Sequence, residues 1–310
     1  MARIIDKYVW LMNTVRKAGD TGFTFKEINQ EWIRKDNQYL SDGLELLPRT
    51  FHKWRAAIRQ QFNVEIECKR RGGYRYYISN PEVLQGHDLS NWLIDTIGVS
   101  QLLMHNISLK ERILLENVPS GQHYLPEVLD AMKDNHVITI TYQGFWHDKP
   151  CTYDVHPYCV KLFKQRWYLV AFSTSRQAIR TYALDRINGI ERKNKTFKIP
   201  ADFSPAVFFK NNYGVMMGSE IPQDIKIQVK ASQANYLRSL PLHHSQQEVA
   251  RTLTYSTFTY HLCPEYDFLM ELLSMGDEIE VLEPASLRDT IAGMTRSMSD
   301  IYNKQAKYQD

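Results

Sequence analysis

Residues 47–78 read LPRTFHKWRAAIRQQFNVEIECKRRGGYRYYI, and two periodicities meet inside them. From 47 to 62 the apolar residues Leu47, Phe51, Trp54, Ile58 and Phe62 recur every three or four positions, as on one face of a helix. Pro48 suits a first helical position, where its missing N–H costs nothing. The opposite face carries Arg49, His52, Lys53, Ala56, Arg59 and Gln60. After residue 62 the period drops to two. Val64, Ile66 and Cys68 alternate, then Tyr74, Tyr76 and Ile78, with Arg71-Gly72-Gly73 between the runs, which predicts a small hairpin. Upstream, residues 4–18 and 25–35 read as two more helices flanking the turn Gly19-Asp20-Thr21-Gly22, and a polar loop near Asp36–Gly43 leads to Pro48. Three helices followed by a β-ribbon is the order of a winged helix-turn-helix, ending near residue 80.

Charge singles out the same end. The 310 residues hold 38 Lys+Arg and 35 Asp+Glu, a formal net charge of +3. Residues 1–80 contain 15 of the bases and 9 of the acids; the rest of the chain is slightly acidic, with 23 and 26. Segment 49–75 alone has 8 bases against 2 acids. A basic end on an acidic body implies a polyanion partner for that end, and helix-then-wing order makes the partner double-stranded DNA. In a major groove Arg49, Thr50, His52 and Lys53 sit deepest, because a recognition helix enters N-terminus first. Arg59 and Gln60 continue the face towards base edges and phosphates. Lys69, Arg70, Arg71 and Arg75 surround the Gly-Gly tip and are expected to meet phosphates.

The length suits two or three domains, and the 43% hydrophobic content can fill their cores. No stretch approaches the ~20 apolar residues of a membrane span, and the start, MARIIDKYVW, does not read as a secretion signal. Four scattered cysteines (Cys68, Cys151, Cys159, Cys263) suit a reducing cytoplasm. Residues 82–104 and about 108–135 read as helical connectors, with capping-box spacing at Ser108-Leu109-Lys110-Glu111 and a helix opening at Pro126. From Val137, where Ile138, Ile140 and Tyr142 alternate with threonines, short strands follow to about Phe197. After residue 222 the order strand, helix, two strands, helix, strand, long helix suits an open α+β sandwich of the ferredoxin type. There is no Gly-rich phosphate loop, Gly-x-Ser-x-Gly elbow or His-Glu-x-x-His. His243-His244 and His261-x-Cys263 lack a second pair at metal spacing. Neither an enzyme, a metal nor a cofactor is expected.

The segment HPYCVKLFKQRWYLVAFSTSRQAIRTYALDRI (156–187), with Trp167-Tyr168-Leu169, Arg180 and Leu184-Asp185-Arg186-Ile187, then Phe197 and Asp202-Phe203, resembles the WYL domain family. Leu240-Pro241-Leu242-His243-His244-Ser245-Gln246, Gly276-Asp277, Val281-Leu282-Glu283-Pro284 and Leu287-Arg288 resemble the C-terminal extension that accompanies it. The resemblance implies an α+β multidomain bacterial regulator. Its parts would be a winged helix-turn-helix (1–80), a helical connector (81–135), a WYL domain folded as an SH3-like (Sm-like) small β-barrel (136–210) and a ferredoxin-like extension (211–310). It also implies a homodimer whose barrel senses an anionic nucleotide-like or oligonucleotide ligand through Tyr142, His156, Tyr168, Arg180 and Arg186. Forked arginine donors suit phosphate, and the aromatic rings can stack on bases. Within Trp167-Tyr168-Leu169, strand alternation makes Trp167 and Leu169 core residues. The reading is a ligand-responsive transcriptional regulator, leaning to a repressor. The rival is a nucleic-acid-binding accessory protein that modulates an enzyme or defence complex through its barrel.

Overall fold

A computed structural model describes residues 4–34, 38–41, 43–84, 89–145, 148–218 and 220–303. It divides into two units, residues 1–116 and 117–310. The boundary falls inside the expected connector.

In the first unit, α1 (Ile4–Lys17), α2 (Phe25–Trp32), the short α3 (Gln38–Ser41) and α4 (Pro48–Phe62) precede the hairpin β2 (Ile66–Lys69) and β3 (Arg75–Ile78). The polar loop expected near Asp36–Gly43 lies partly outside the described residues. A two-residue strand, β1 (Phe23–Thr24), pairs with β3, giving the sheet order β1-β3-β2. Thr24 caps α2: its hydroxyl accepts from the Glu27 amide at 3.2 Å, and the Glu27 carboxylate accepts from the Thr24 amide at 2.7 Å. The core gathers Val9, Leu11 and Met12 of α1, Ile28 and Trp32 of α2, and Phe51, Trp54, Ile58 and Phe62 of α4. Leu47 departs from the expected stripe. It is the extended residue before α4 rather than its first helical residue, and it stays 64% exposed. Next comes α5 (Leu89–His105), packed on α1. The connector expected to be helical over about 108–135 is so only in part: a 3₁₀ segment spans Ile107–Arg112, residues 113–121 are irregular, and the helix expected to open at Pro126 is α6, which begins at Leu125.

The second unit opens with α6 (Leu125–Lys133), followed by β4 (His136–Tyr142), β5 (Cys151–Phe163), β6 (Arg166–Ser173), β7 (Ala178–Ala183), a 3₁₀ turn (Leu184–Arg186) and β8 (Ile187–Thr196). These strands form one antiparallel sheet in the order β7-β6-β5-β4-β8. Its inner face, with Ile138, Ile140, Val155, Leu169 and Ala171, closes over Val128 and Ala131 of α6. Trp167 packs half-buried against this core and Leu169 lies fully inside it, as alternation predicts. Gly121, with φ +66, lets the chain enter under the 3₁₀ turn; a Cβ there would lie 2.3 Å from the Leu184 carbonyl carbon.

After α7 (Pro205–Phe209) come β9 (Gln223–Lys230), α8 (Ala231–Ser239), β10 (Gln247–Arg251), β11 (Tyr255–Leu262), α9 (Tyr266–Ser274), β12 (Ile279–Glu283) and α10 (Ala285–Asn303). The sheet order is β10-β11-β9-β12, all antiparallel, over its own core of Ile227, Val229, Phe258 and Phe268. The segment preceding β9 is tied to α9. Asp267 accepts the amides of Val215 and Met216, both at 2.8 Å, and Lys161 of β5 donates to the Gly214 carbonyl at 2.5 Å. Burial brings the Lys161 ammonium down to about 8. His243 and His244 both point ring nitrogens at the Lys210 carbonyl, 2.9 and 2.7 Å away, so these histidines fasten the turn after α8 to the segment after α7.

Candidate nucleic-acid interface

Helix α4 owes its place to its inner stripe. Phe51 is fully buried, with ring centres 5.3 Å from Phe25 and 4.7 Å from Tyr76, and this edge-to-face packing fixes the rotation of the helix. Arg49, His52, Lys53, Arg59 and Gln60 are thereby turned outward and exposed, with Thr50 half-buried and Ala56 exposed between the long side chains. Arg49 and Lys53 form no ion pair among the described residues. Arg59 lies 3.1 Å from Glu65, an exposed pair of small energetic consequence.

Arg55, not singled out by periodicity, is structural. Its guanidinium donates to the Ile66 carbonyl, with Nε at 2.9 Å, and lies 5.0 Å from the Tyr76 ring centre. It rivets the helix to the hairpin that follows.

The hairpin splits the four expected phosphate contacts into two pairs. Arg70 and Arg71 are exposed at the tip, beside Gly72 (φ +92), Gly73 (φ +99) and Tyr74 (φ +55). Three successive left-handed residues there explain the Gly-Gly pair, since only glycine adopts this backbone without steric cost. Arg75 instead turns back: its Nε lies 3.0 Å from the Thr21 carbonyl and 3.1 Å from that of Gly22, and its fork meets Glu27 at 3.3 Å. Lys69 donates to the Asp20 carbonyl at 2.7 Å, with Nζ 4.2 Å from the centre of the Tyr77 ring. Both cations tie the hairpin to the turn before α2, with Lys69 still exposed and Arg75 half-buried, whereas Arg70 and Arg71 have no such tie among the described residues.

The five residues expected to line a ligand patch are separated by strand register. Opposite partners in an antiparallel sheet share a face. Tyr142, Arg180 and Tyr182 fall on the inner face, opposite Cys151, Ala171 and Leu169 respectively. The Tyr142 and Tyr182 rings meet at 5.2 Å, and Arg180 is exposed at the rim. His156 and Tyr168 fall on the other face, opposite Phe172 and Lys161. The His156 ring is stacked on Phe197, 4.7 Å away and 9° from parallel, and burial keeps its pKa below the ordinary value. The expected convergence of all five on one patch does not occur.

Arg186 stands apart, on the 3₁₀ turn. Its guanidinium lies 3.6 Å from the centre of the Phe145 ring, and its Nε is buried with no hydrogen-bond partner among the described residues. Asp185 Oδ1 is likewise buried and unpaired, while Oδ2 faces Arg166 at 3.5 Å. Burial raises the Tyr168 phenol above its ordinary value, opposed by the charges of Arg166 and Arg186, which places those three groups in one neighbourhood. Phe145 and Arg166 were missed by sequence reasoning. An aromatic residue just past a strand end was the only signal for Phe145. Among the described residues no group of three His, Cys, Asp or Glu side chains is arranged to hold a metal ion, and no helix is long and apolar enough to cross a membrane.

Residues 123–192 match the WYL domain, a span that includes α6, and residues 222–299 match the WCX domain. No curated protein matches the chain. Similar solved structures include proteasome accessory factor B/C (PafBC) of Arthrobacter aurescens, 17% identical, with 99% of this chain and 48% of that one covered at a TM-score of 0.41. Another is a CRISPR Cas-related protein, 11% identical, with 99% and 89% covered at 0.40. The chain spans about half the length of the PafBC chain.

Proposed function

We propose that the chain, a WYL-domain protein with a WCX domain behind it, is a DNA-binding transcriptional regulator acting in the cytoplasm as a homodimer. The observation that carries this reading is the exposed basic face of α4, led by Arg49 and Lys53 and followed by a wing tip bearing Arg70 and Arg71. We read residues 1–80 as a winged helix-turn-helix. The β4–β8 sheet, with a 3₁₀ turn before its last strand, supports an SH3-like barrel; the order β10-β11-β9-β12 supports a ferredoxin-like extension. Two-fold pairing would set half-sites about whole helical turns apart. A dimer that occupies its site needs no polymerase contact, which favours repression over activation. No catalytic role is assigned. Selection of bound duplexes from a random pool should return one palindromic motif. A pool with no enriched sequence would overturn the operator reading and favour the accessory-protein alternative.

The sensor we assign to the turn at Arg186. A buried donor without a partner costs ~1–3 kcal/mol, and a phosphate oxygen would satisfy it. The Phe145 ring and nearby Tyr168 suit a ligand with a flat group, hence a nucleotide or a short single strand. Arg186→Ala should abolish the effect of an active nucleotide on operator release, followed by fluorescence anisotropy, and leave unliganded operator affinity within about twofold. Arg180→Ala, on the inner-face rim, should weaken the response less. Identical responses from wild type and Arg186→Ala would place the ligand elsewhere.

A further inference from the structure

The wing tip holds three successive residues with left-handed backbone, and the third is not glycine. Gly72 (φ +92) and Gly73 (φ +99) adopt it freely, but Tyr74 (φ +55) carries an aromatic side chain that rarely takes it. Nothing else crowds the tip. A Cβ on Gly72 or Gly73 would meet no atom within 4 Å, so this end of the hairpin stands clear of its surroundings. Tyr74 is 65% exposed, and it has no hydrogen bond or ring contact among the described residues. The other tyrosines of the hairpin are used inside it: Tyr76 is buried against Phe51, and Tyr77 donates to Glu67 at 3.3 Å. An exposed aromatic residue held in a strained backbone with no internal partner points to a contact outside the chain.

The support beneath the tip is stiff. Lys69 and Arg75 tie the two strands to the turn before α2, and Arg55 of α4 donates to the Ile66 carbonyl at the base of the hairpin. The tip therefore keeps one position relative to the outward face of α4. What Tyr74 can read follows from its chemistry. It carries no charge, so a phosphate is better served by Arg70 and Arg71 beside it. Its one polar group is a hydroxyl on a flat ring, able to donate a single hydrogen bond. In the minor groove an A·T pair shows only acceptors, adenine N3 and thymine O2, whereas guanine places its amino group there. A-tracts also narrow that groove and deepen its negative potential, which draws in neighbouring arginines.

We infer that Tyr74 is a specificity residue, entering the minor groove beside the half-site read by α4 and selecting A·T pairs there. The inference rests on the DNA-binding reading above and adds to it the composition of the operator's flank. That groove lies about half a helical turn, ~5 base pairs, from the centre of the α4 contact. Three full-length proteins test this: wild type, Tyr74→Phe and Tyr74→Gly. Each is put through selection from a random duplex pool, then titrated with two duplexes that share the selected half-sites and differ only in A·T or G·C pairs at the flank. Wild type should enrich an A·T flank and bind the A·T duplex at least about fivefold tighter, the low end for one read base pair. Tyr74→Phe keeps the ring and loses the hydroxyl. It should select the same half-site with the two duplexes bound within about twofold of each other. Tyr74→Gly should also lose the preference, with a urea midpoint no lower than that of wild type. Glycine takes this backbone without steric cost, which offsets its extra freedom in the unfolded chain. A selected operator with no flank preference, a Tyr74→Phe variant that keeps the wild-type ratio, or a Tyr74→Gly variant that unfolds earlier would each overturn the assignment. A wild type that selects no duplex at all would overturn the DNA reading itself, and this inference with it.

Discussion

Replacing Arg49 and Lys53 together with alanine is expected to lower affinity for the selected duplex by roughly 30- to 10⁴-fold, taking ~1–3 kcal/mol for each lost contact. Both side chains are exposed in the first turns of α4, and neither belongs to the stripe of Phe51, Trp54, Ile58 and Phe62 that holds the helix. Thermal stability should therefore stay within the ±0.5 kcal/mol usual for surface substitutions. If one of the two contacts is to phosphate, the slope of log affinity against log salt should also fall by about one. Arg75→Ala makes the contrasting control. Its cost should appear first in stability, because the lost partners are the Thr21 and Gly22 carbonyls and Glu27. Isothermal titration with the selected duplex measures the first effect, and urea unfolding the second. A double variant that keeps its sequence preference at unchanged affinity would remove α4 from the interface.

Phe51→Ala should do the most damage to the fold. The side chain is fully buried among Phe25, Tyr76 and the Arg55 guanidinium, and truncating such a phenylalanine costs about 3–5 kcal/mol. That is a large share of the 5–15 kcal/mol by which a typical domain is stable. The loss should be confined to the first unit, because the two cores of the second unit contain no residue of the first. Trp10, Trp32 and Trp54 lie together in the damaged core, with ring centres about 5 Å apart along the series, so tryptophan fluorescence reports it directly. Urea unfolding should show an early fluorescence transition, about 1–3 M lower in midpoint for a small domain, ahead of the loss of sheet signal from the second unit. A single transition moving as a whole would mean that the two units unfold together.

Helices and strands were legible because their periodicities are local. Pro48 marked the start of α4, and Gly72-Gly73 marked a turn that needs positive φ. Sidedness in the central sheet was not legible. Faces follow from which residues pair: Tyr142 lies opposite Cys151, five positions before His156 and so on the other face, and Arg180 lies opposite Ala171 while His156 lies opposite Phe172. Long-range partners were equally hidden. Arg75 and Lys69 look like a basic wing in sequence, yet their acceptors lie about fifty positions upstream, on a turn chosen for Gly22 rather than for any acid. Capping-box spacing at Ser108 misled because no buried apolar face accompanied it: Leu109, Leu114 and Leu115 are all exposed, and a helix so short of burial has little to hold it.

Gly121 carries a mechanical consequence. The backbone beside it is held by the Trp167 amide, which donates to the Ser120 carbonyl at 3.3 Å, and the Leu184–Asp185 peptide occupies the space that a Cβ at 121 would need. The peptide at 120–121 is therefore pinned to the turn that ends in Arg186, and the positive φ of Gly121 is what lets backbone lie against backbone there. Even a methyl group at position 121 would act as a shim driven into the joint.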